Sequence, residues 1–214
     1  MIYIITGHYG SGKTEVAINL ALTLKSPTII DLDIVNPFFR TKDAEGKLLA
    51  NGIKLISPEF ANTNIDVPSL PPEIFAGLQG ENDLVIDAGG DDNGAMALGQ
   101  FNRYFKEKPY EMYFVINVKR PLTSNAIDII EMLKSIEAAS RIKATALINN
   151  TNIKSETTAN DLIYGQKIVD EVSNITRLPI KAISGTREIL KQIELINTPK
   201  LPLDLHLTLP WEVL

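Results

Sequence analysis

Ile2-Tyr3-Ile4-Ile5-Thr6 is an apolar run rich in β-branched side chains, and Gly7-His8-Tyr9-Gly10-Ser11-Gly12-Lys13-Thr14 follows it at once. A helical pattern then runs from Glu15 to Leu24. The octapeptide fits G-x-x-x-x-G-K-[ST] at every specified position, and strand–loop–helix is the setting that gives the pattern its physical meaning. Its glycines let the backbone turn tightly and aim N–H groups inward, because glycine tolerates positive φ. The following helix adds its own unsatisfied N–H groups and the positive end of its dipole. Lys13 is placed to reach the β- and γ-phosphates of a nucleoside triphosphate, and the Thr14 hydroxyl to ligate Mg²⁺. The whole stretch Gly7, His8, Tyr9, Gly10, Ser11, Gly12, Lys13, Thr14 and Glu15 is assigned to that cradle.

Behind the loop, short apolar runs alternate with amphipathic stretches to the end of the chain. Strands are expected at Ile2–Thr6, Thr28–Asp31, Lys54–Ile56, Leu84–Ala88, Tyr113–Val118, Ala144–Asn149 and Ile180–Ile183. Helices are expected at Lys13–Leu24, Thr41–Ala50, Pro72–Leu78, Ala95–Phe105, Ser124–Ala139, Asp161–Asn174 and Arg187–Ile193. Several strands are apolar on both faces, as parallel strands covered by helices must be. The alternation predicts an α/β fold: one P-loop nucleotide-binding domain over residues 1–214, with a doubly wound, mostly parallel sheet of about seven strands. Two stretches are irregular. Pro58–Pro72 carries four prolines and reads as a loop before a short helix. Pro199–Leu214 is an extended tail in which Leu201, Leu203, Leu205, Leu207 and Leu209 alternate, the pattern of a half-buried strand. It is expected to pack on its own domain; exposed, it would be a partner-docking strand anchored by Trp211.

Composition narrows the function. The formal net charge of −5 opposes general nucleic-acid affinity, which needs a basic face. Cysteine is absent, so the chain has no disulfide, thiolate metal site or iron–sulfur ligation of its own. No leader is visible before the first strand, and apolar runs fall far short of a membrane span. The expectation is a cytoplasmic protein without nucleic-acid or membrane partners.

Three strand ends carry polar side chains that belong beside such a loop. Asp31-Leu32-Asp33 closes the second strand, where parallel sheets open onto their ligand crevice. At most one of the two aspartates is expected to face the nucleotide directly. The segment Ile34–Arg40 after them reads as a switch able to sense the γ-phosphate. Leu84-Val85-Ile86-Asp87 ends in the carboxylate expected to hold Mg²⁺ or its water ligands. Gly89-Gly90 then permits movement, and Asp91-Asp92 serves equally as a helix cap. Asn149-Asn150-Thr151-Asn152 is a cluster of amides, and an amide offers the donor and acceptor that an adenine edge requires. The guanine-reading pattern N-K-x-D is not met: Asn150 replaces its lysine and Asn152 its aspartate, which favours ATP over GTP.

Together these motifs resemble the MinD/ParA class of P-loop ATPases, which also includes nitrogenase iron-protein-like and cluster-assembly ATPases. The resemblance covers nearly the whole chain and is most specific at Gly7–Thr14, Asp31–Asp33 and Leu84–Gly90. It implies that Asp33 is catalytic, orienting the attacking water, and stands with Thr14 and Asp87 at the metal. It implies that Asn149 contacts adenine, that ATP and Mg²⁺ are the cofactors, and that the ATP state is a homodimer whose hydrolysis resets partner binding. One position departs. Such proteins carry a signature lysine after the first loop glycine, and here that residue is His8, followed by Tyr9. Histidine is shorter and mostly neutral near pH 7. Arg40 and Arg120 are the candidates to supply the missing charge.

Three uses of the loop stay open. The first is a Mg-ATP-driven switch for an unidentified protein partner, hydrolysing ATP to ADP and phosphate slowly or on partner activation. The second is a small-molecule kinase, although the six arginines are dispersed and form no lid. The third is a near-inactive nucleotide-binding adaptor.

Overall fold

The computed structural model describes residues 1–33, 41–57 and 72–207. Among them lie eight strands: β1 (Ile2–Thr6), β2 (Thr28–Leu32), β3 (Lys54–Ile56), β4 (Leu84–Ala88), β5 (Tyr110–Ile116), β6 (Ala146–Asn149), β7 (Ile180–Gly185) and β8 (Lys200–Pro202). The helices are α1 (Lys13–Thr23), α2 (Glu45–Ala50), α3 (Pro72–Gln79), α4 (Asp92–Gly99), α5 (Asn102–Glu107), α6 (Ala126–Ser140), α7 (Ala159–Thr176) and α8 (Arg187–Lys191). The strands form one sheet in the order β3-β2-β4-β1-β5-β6-β7-β8, and every neighbouring pair is parallel. The chain leaves β1 toward β2, then returns across it between β4 and β5. The C-terminal ends of these strands therefore flank a crevice at the point where the winding reverses.

Alternation along the central strands builds a large core on each face of the sheet. Ile4, Ile30, Ile86 and Phe114 face the layer made by α3 to α7, with Phe101, Leu133 and Val169 among its buried members. Ile5, Ile29, Val85 and Val115 face α1, where Val16, Ala17 and Ala21 are fully buried. Burial on both faces explains why these strands read as continuous apolar runs.

The boundaries depart from expectation where packing intervenes. β5 begins three residues early because Tyr110 pairs in register with Ile2 at the bottom of the sheet. The single helix expected over Ala95–Phe105 is two. A side chain at Gly99 would stand 3.0 Å from the Ser140 carbonyl, so glycine lets α4 press on the end of α6, and the chain then turns to bury Phe101. Asp91 caps α4 by accepting from Gly94 N at 2.8 Å, which moves the helix start back to Asp92.

About seven strands were expected and eight are present, because the tail adds β8 beside β7. Beyond β8 the tail docks on α1. Leu203 is buried and Leu207 packs on the same core, while Leu205 is 65% exposed, so the alternation breaks after Leu203. Asn19 clamps the backbone of Asp204, donating to its carbonyl at 2.9 Å and accepting from its N–H at 2.8 Å. Trp211 and Leu209 lie outside the described residues, as does nearly all of the proline-rich loop. No described helix is long and apolar enough to cross a membrane.

Replacing Asn19 with Ala is expected to cost about 1–3 kcal/mol, since the Asp204 backbone loses its partner. A lower urea midpoint at unchanged slope would register the loss.

Candidate functional site

The loop between β1 and α1 is built as its glycines require. Gly10 and Gly12 take φ values of 74° and 82°, and Gly12 caps α1 in the left-handed conformation. Neighbouring strand ends hold it from two sides. Asn150, buried at the end of β6, donates to the Ser11 carbonyl at 2.7 Å and accepts from the Ser184 hydroxyl at 2.8 Å. On the other side Gly90 lies so close that a side chain there would stand 2.1 Å from the Gly7 carbonyl oxygen. The segment after Asp87 is thus in direct backbone contact with the loop.

Lys13 points into a buried group of carboxylates. Its Nζ lies 2.9 Å from Asp33 Oδ2, and the two side chains are 5% and 9% exposed. Burial works against the ammonium charge, yet Asp33, Asp87 and Asp31 outweigh it and hold the lysine pKa above its ordinary value. Asp31 accepts from the Asp33 backbone N–H at 3.0 Å, so the D-x-D pair divides its labour: Asp33 faces Lys13 and Asp31 shapes the strand end. Asp87 is fully buried and accepts from the Thr41 hydroxyl at 3.0 Å. Burial raises its pKa from 3.8 to about 6, against the pull of Lys13 and the Thr14 hydroxyl and with Asp33 adding to the rise.

Six buried side-chain polar atoms lack a hydrogen-bond partner among the described residues, and four of them sit here: Thr6 Oγ1, His8 Nδ1, Ser11 Oγ and Asp87 Oδ1. Orphaned polar groups are uncommon in folded proteins and need a reason. Four around one phosphate loop have a common one, a site shaped for a polar ligand. His8 is held below its ordinary pKa by burial and then by the Lys13 and Arg120 charges, so it is neutral at pH 7.

The fit to Mg²⁺ can be tested on the donors. No group of three or more His, Asp or Glu side chains placed to hold a metal occurs among the described residues. Mg²⁺ at phosphate sites needs only one or two protein oxygens and keeps its waters. The Thr14 hydroxyl and the orphaned Asp87 Oδ1 meet that need. Asp33, also expected at the metal, is engaged by Lys13 instead.

The side chains of two expected site residues are engaged within the protein. Asn149 has no exposed surface: its Nδ2 donates to Leu162 O and Gln166 Oε1, and its Oδ1 accepts from the Thr151 N–H and hydroxyl. Its amide is spent binding β6 to α7 and presents no edge to a base. The Glu15 carboxylate accepts from His206 N and Leu207 N, each at 2.8 Å, so its side chain holds the tail. Tyr9 projects outward, 57% exposed. The switch Ile34–Arg40, including Arg40, lies outside the described residues. Thr41 was not legible as a site residue, because it occupies no motif position, and Asn150 was read for its bearing on the base and not as the support of the loop.

No family model matches this sequence, and no curated protein matches it. Its fold has solved counterparts. The cell division protein FtsY of Thermotoga maritima is 20% identical with a TM-score of 0.59 over 86% of this chain and 61% of its own. The signal recognition particle receptor FtsY of Elizabethkingia anophelis, in complex with GDP, is 17% identical with a TM-score of 0.53 over 86% of this chain and 56% of its own. The signal recognition particle 54 kDa protein of Aeropyrum pernix, also with GDP, is 19% identical with a TM-score of 0.53 over 85% and 40%. The chain thus spans about three-fifths or less of the proteins it resembles. The likeness establishes the fold, and with the loop it defines the class: this is a P-loop NTPase fold.

The pKa of Asp87 gives a signed prediction. A carboxyl raised from 3.8 to about 6 on folding binds its proton more tightly in the folded state. Its favourable contribution is complete below the unfolded value and is lost as pH rises through the folded one. Asp87→Asn is therefore expected to stabilise the ligand-free protein by about 1–3 kcal/mol at pH 8 and to be near neutral at pH 4. Melting temperatures of both proteins across that range would check it.

Proposed function

We propose that this chain is a Mg-ATP-binding P-loop ATPase of the MinD/ParA type, a switch whose nucleotide state sets its hold on a protein partner. The observation that carries this reading is the Lys13–Asp33 pair, buried at 2.9 Å inside a ring of orphaned polar atoms. A lysine so placed exchanges a carboxylate for phosphate oxygens when a triphosphate enters. Its charge then opposes the negative charge spread over the γ-phosphate during transfer. Asp33, released from the lysine, stands where it can orient the attacking water. Bound Mg²⁺ would neutralise phosphate charge, with Thr14 and Asp87 the residues that would hold it.

The choice of ATP rests on Asn150 and Asn152, which replace the lysine and aspartate of a guanine-reading strand end. Two of the similar structures hold GDP, which makes GTP the competing nucleotide. Gly90 against Gly7 supplies the link from the phosphate to the surface, and a second copy of the chain is the expected dimer partner in the ATP state. A second reading, a binding adaptor that scarcely turns over, is favoured by the neutral His8.

Calorimetric titration with ATP and GTP, each with Mg²⁺, followed by phosphate release, tests the proposal. ATP is expected to bind and be hydrolysed, and Lys13→Ala to weaken binding and turnover by about 10²-fold or more. Tighter binding of GTP would reverse the base assignment, and binding of neither would end the nucleotide reading.

A further inference from the structure

Resting on the nucleotide reading above, we propose that Arg120 is a catalytic residue that places its guanidinium on the γ-phosphate held by its own loop, supplying in cis the cation that His8 lacks. The geometry is specific. Arg120 Nε donates to the Gly10 carbonyl at 2.9 Å. A side chain at Gly10 would stand 3.0 Å from that Nε and 3.3 Å from Cζ, so the guanidinium occupies the space that glycine leaves open at the middle of the loop. Neither Nη nitrogen has a hydrogen-bond partner among the described residues. One edge of the fork is anchored and the other meets no acceptor among the described residues, which suits two-point contact with phosphate oxygens.

The backbone that carries Arg120 is rigid. Its N–H donates to Asn117 O at 3.2 Å, and its carbonyl accepts from Thr123 N at 3.0 Å. The Thr123 hydroxyl returns to Asn117 O at 2.8 Å, and Pro121 opens the 3₁₀ turn that follows. Asn117 itself is fully buried and ties the ends of β5 and β6 together through Asn152. Arg120 thus rises from the strand next to β1 and arrives at the loop with little freedom left to lose. The other described arginines are placed elsewhere: Arg103 stacks on Tyr104, Arg187 pairs with Asp204, and Arg141 and Arg177 end helices.

In the reaction, water adds to the γ-phosphorus and the bond to the β–γ bridging oxygen breaks, its electron pair staying on the diphosphate. One water proton stays on the departing phosphate and the other is released. Negative charge moves toward the bridging oxygen and the equatorial oxygens as this happens. A guanidinium there acts on charge that the ground state lacks, and such a cation is worth about 10³–10⁵ in rate where arginine fingers act.

The test separates this role from a mere prop for the loop. In Arg120→Gln, the glutamine Nε2 is as many bonds from the backbone as the arginine Nε, so the donor to Gly10 is kept while the charge and both Nη groups go. Full-length wild type, Arg120→Gln and Arg120→Ala would be compared in single-turnover ATP hydrolysis, in Mg-ADP affinity and in trapping of ADP with aluminium fluoride. Both variants are expected to lose about 10²-fold or more in rate and to lose the fluoride trap, with ADP affinity within about threefold of wild type. Free guanidinium is expected to restore part of the rate to Arg120→Ala. Wild-type rate in Arg120→Gln, or a rate loss that only follows lost ADP affinity, would make Arg120 a prop and overturn the proposal. Recovery of activity on mixing Arg120→Gln with Lys13→Ala would place the guanidinium across a dimer and overturn its action in cis. A wild type that binds no nucleotide removes the parent reading instead, and a wild type that hydrolyses ATP as fast as Arg120→Gln removes this one alone.

Discussion

A lysine ammonium buried at the start of the first helix must be neutralised, because leaving an ion unpaired away from water costs several kcal/mol. Without phosphate, carboxylates do this: Asp33 directly, Asp87 and Asp31 at longer range. The arrangement has a consequence for the carboxylates themselves. Asp87 is raised to a pKa of about 6 mainly by its burial, with Asp33 adding to the rise, and its Oδ1 has no hydrogen-bond partner among the described residues. Phosphate would take over the ammonium, and a divalent cation would take up the buried carboxylate.

Mechanical ties surround this charged centre. Asn150 fixes the loop to β6 and, through Ser184, to β7; Arg120 fixes it to the end of β5; Gly90 presses on it from the end of β4. On the far side of α1, Glu15 and Asn19 hold the tail by its backbone. Every strand end bordering the crevice thus reports to the same eight residues. Gly90 is the tie without a hydrogen bond, a bare contact between two backbones, and it follows directly after the buried Asp87.

Much of the fold was legible because it repeats a simple physical rule. Strands buried on both faces must be apolar throughout, and β1 and β4 are found at their expected bounds. Errors fell where distant parts decide. The early start of β5 depends on Tyr110 finding Ile2, and the break after Gly99 depends on the Ser140 carbonyl. In the site, Lys13, Asp33 and Asp87 converge as their motif positions implied, since those positions are set by strand ends. The side chains of Asn149 and Glu15 tie the domain together, a use that a polar residue beside a motif serves as readily as ligand contact and that sequence does not distinguish.

What the sequence alone determined is the local chemistry: a strand, a glycine loop, a lysine and a threonine in an order that only an anion-binding helix start exploits, and acidic residues closing two further strands. Those features are set by neighbours in the chain. The tertiary structure decided which carboxylate meets the lysine, which amide supports the loop, and that an arginine more than a hundred residues away rests on Gly10. Such contacts depend on strand order and on the reversal of winding at β1, and spacing along the chain carries no record of either.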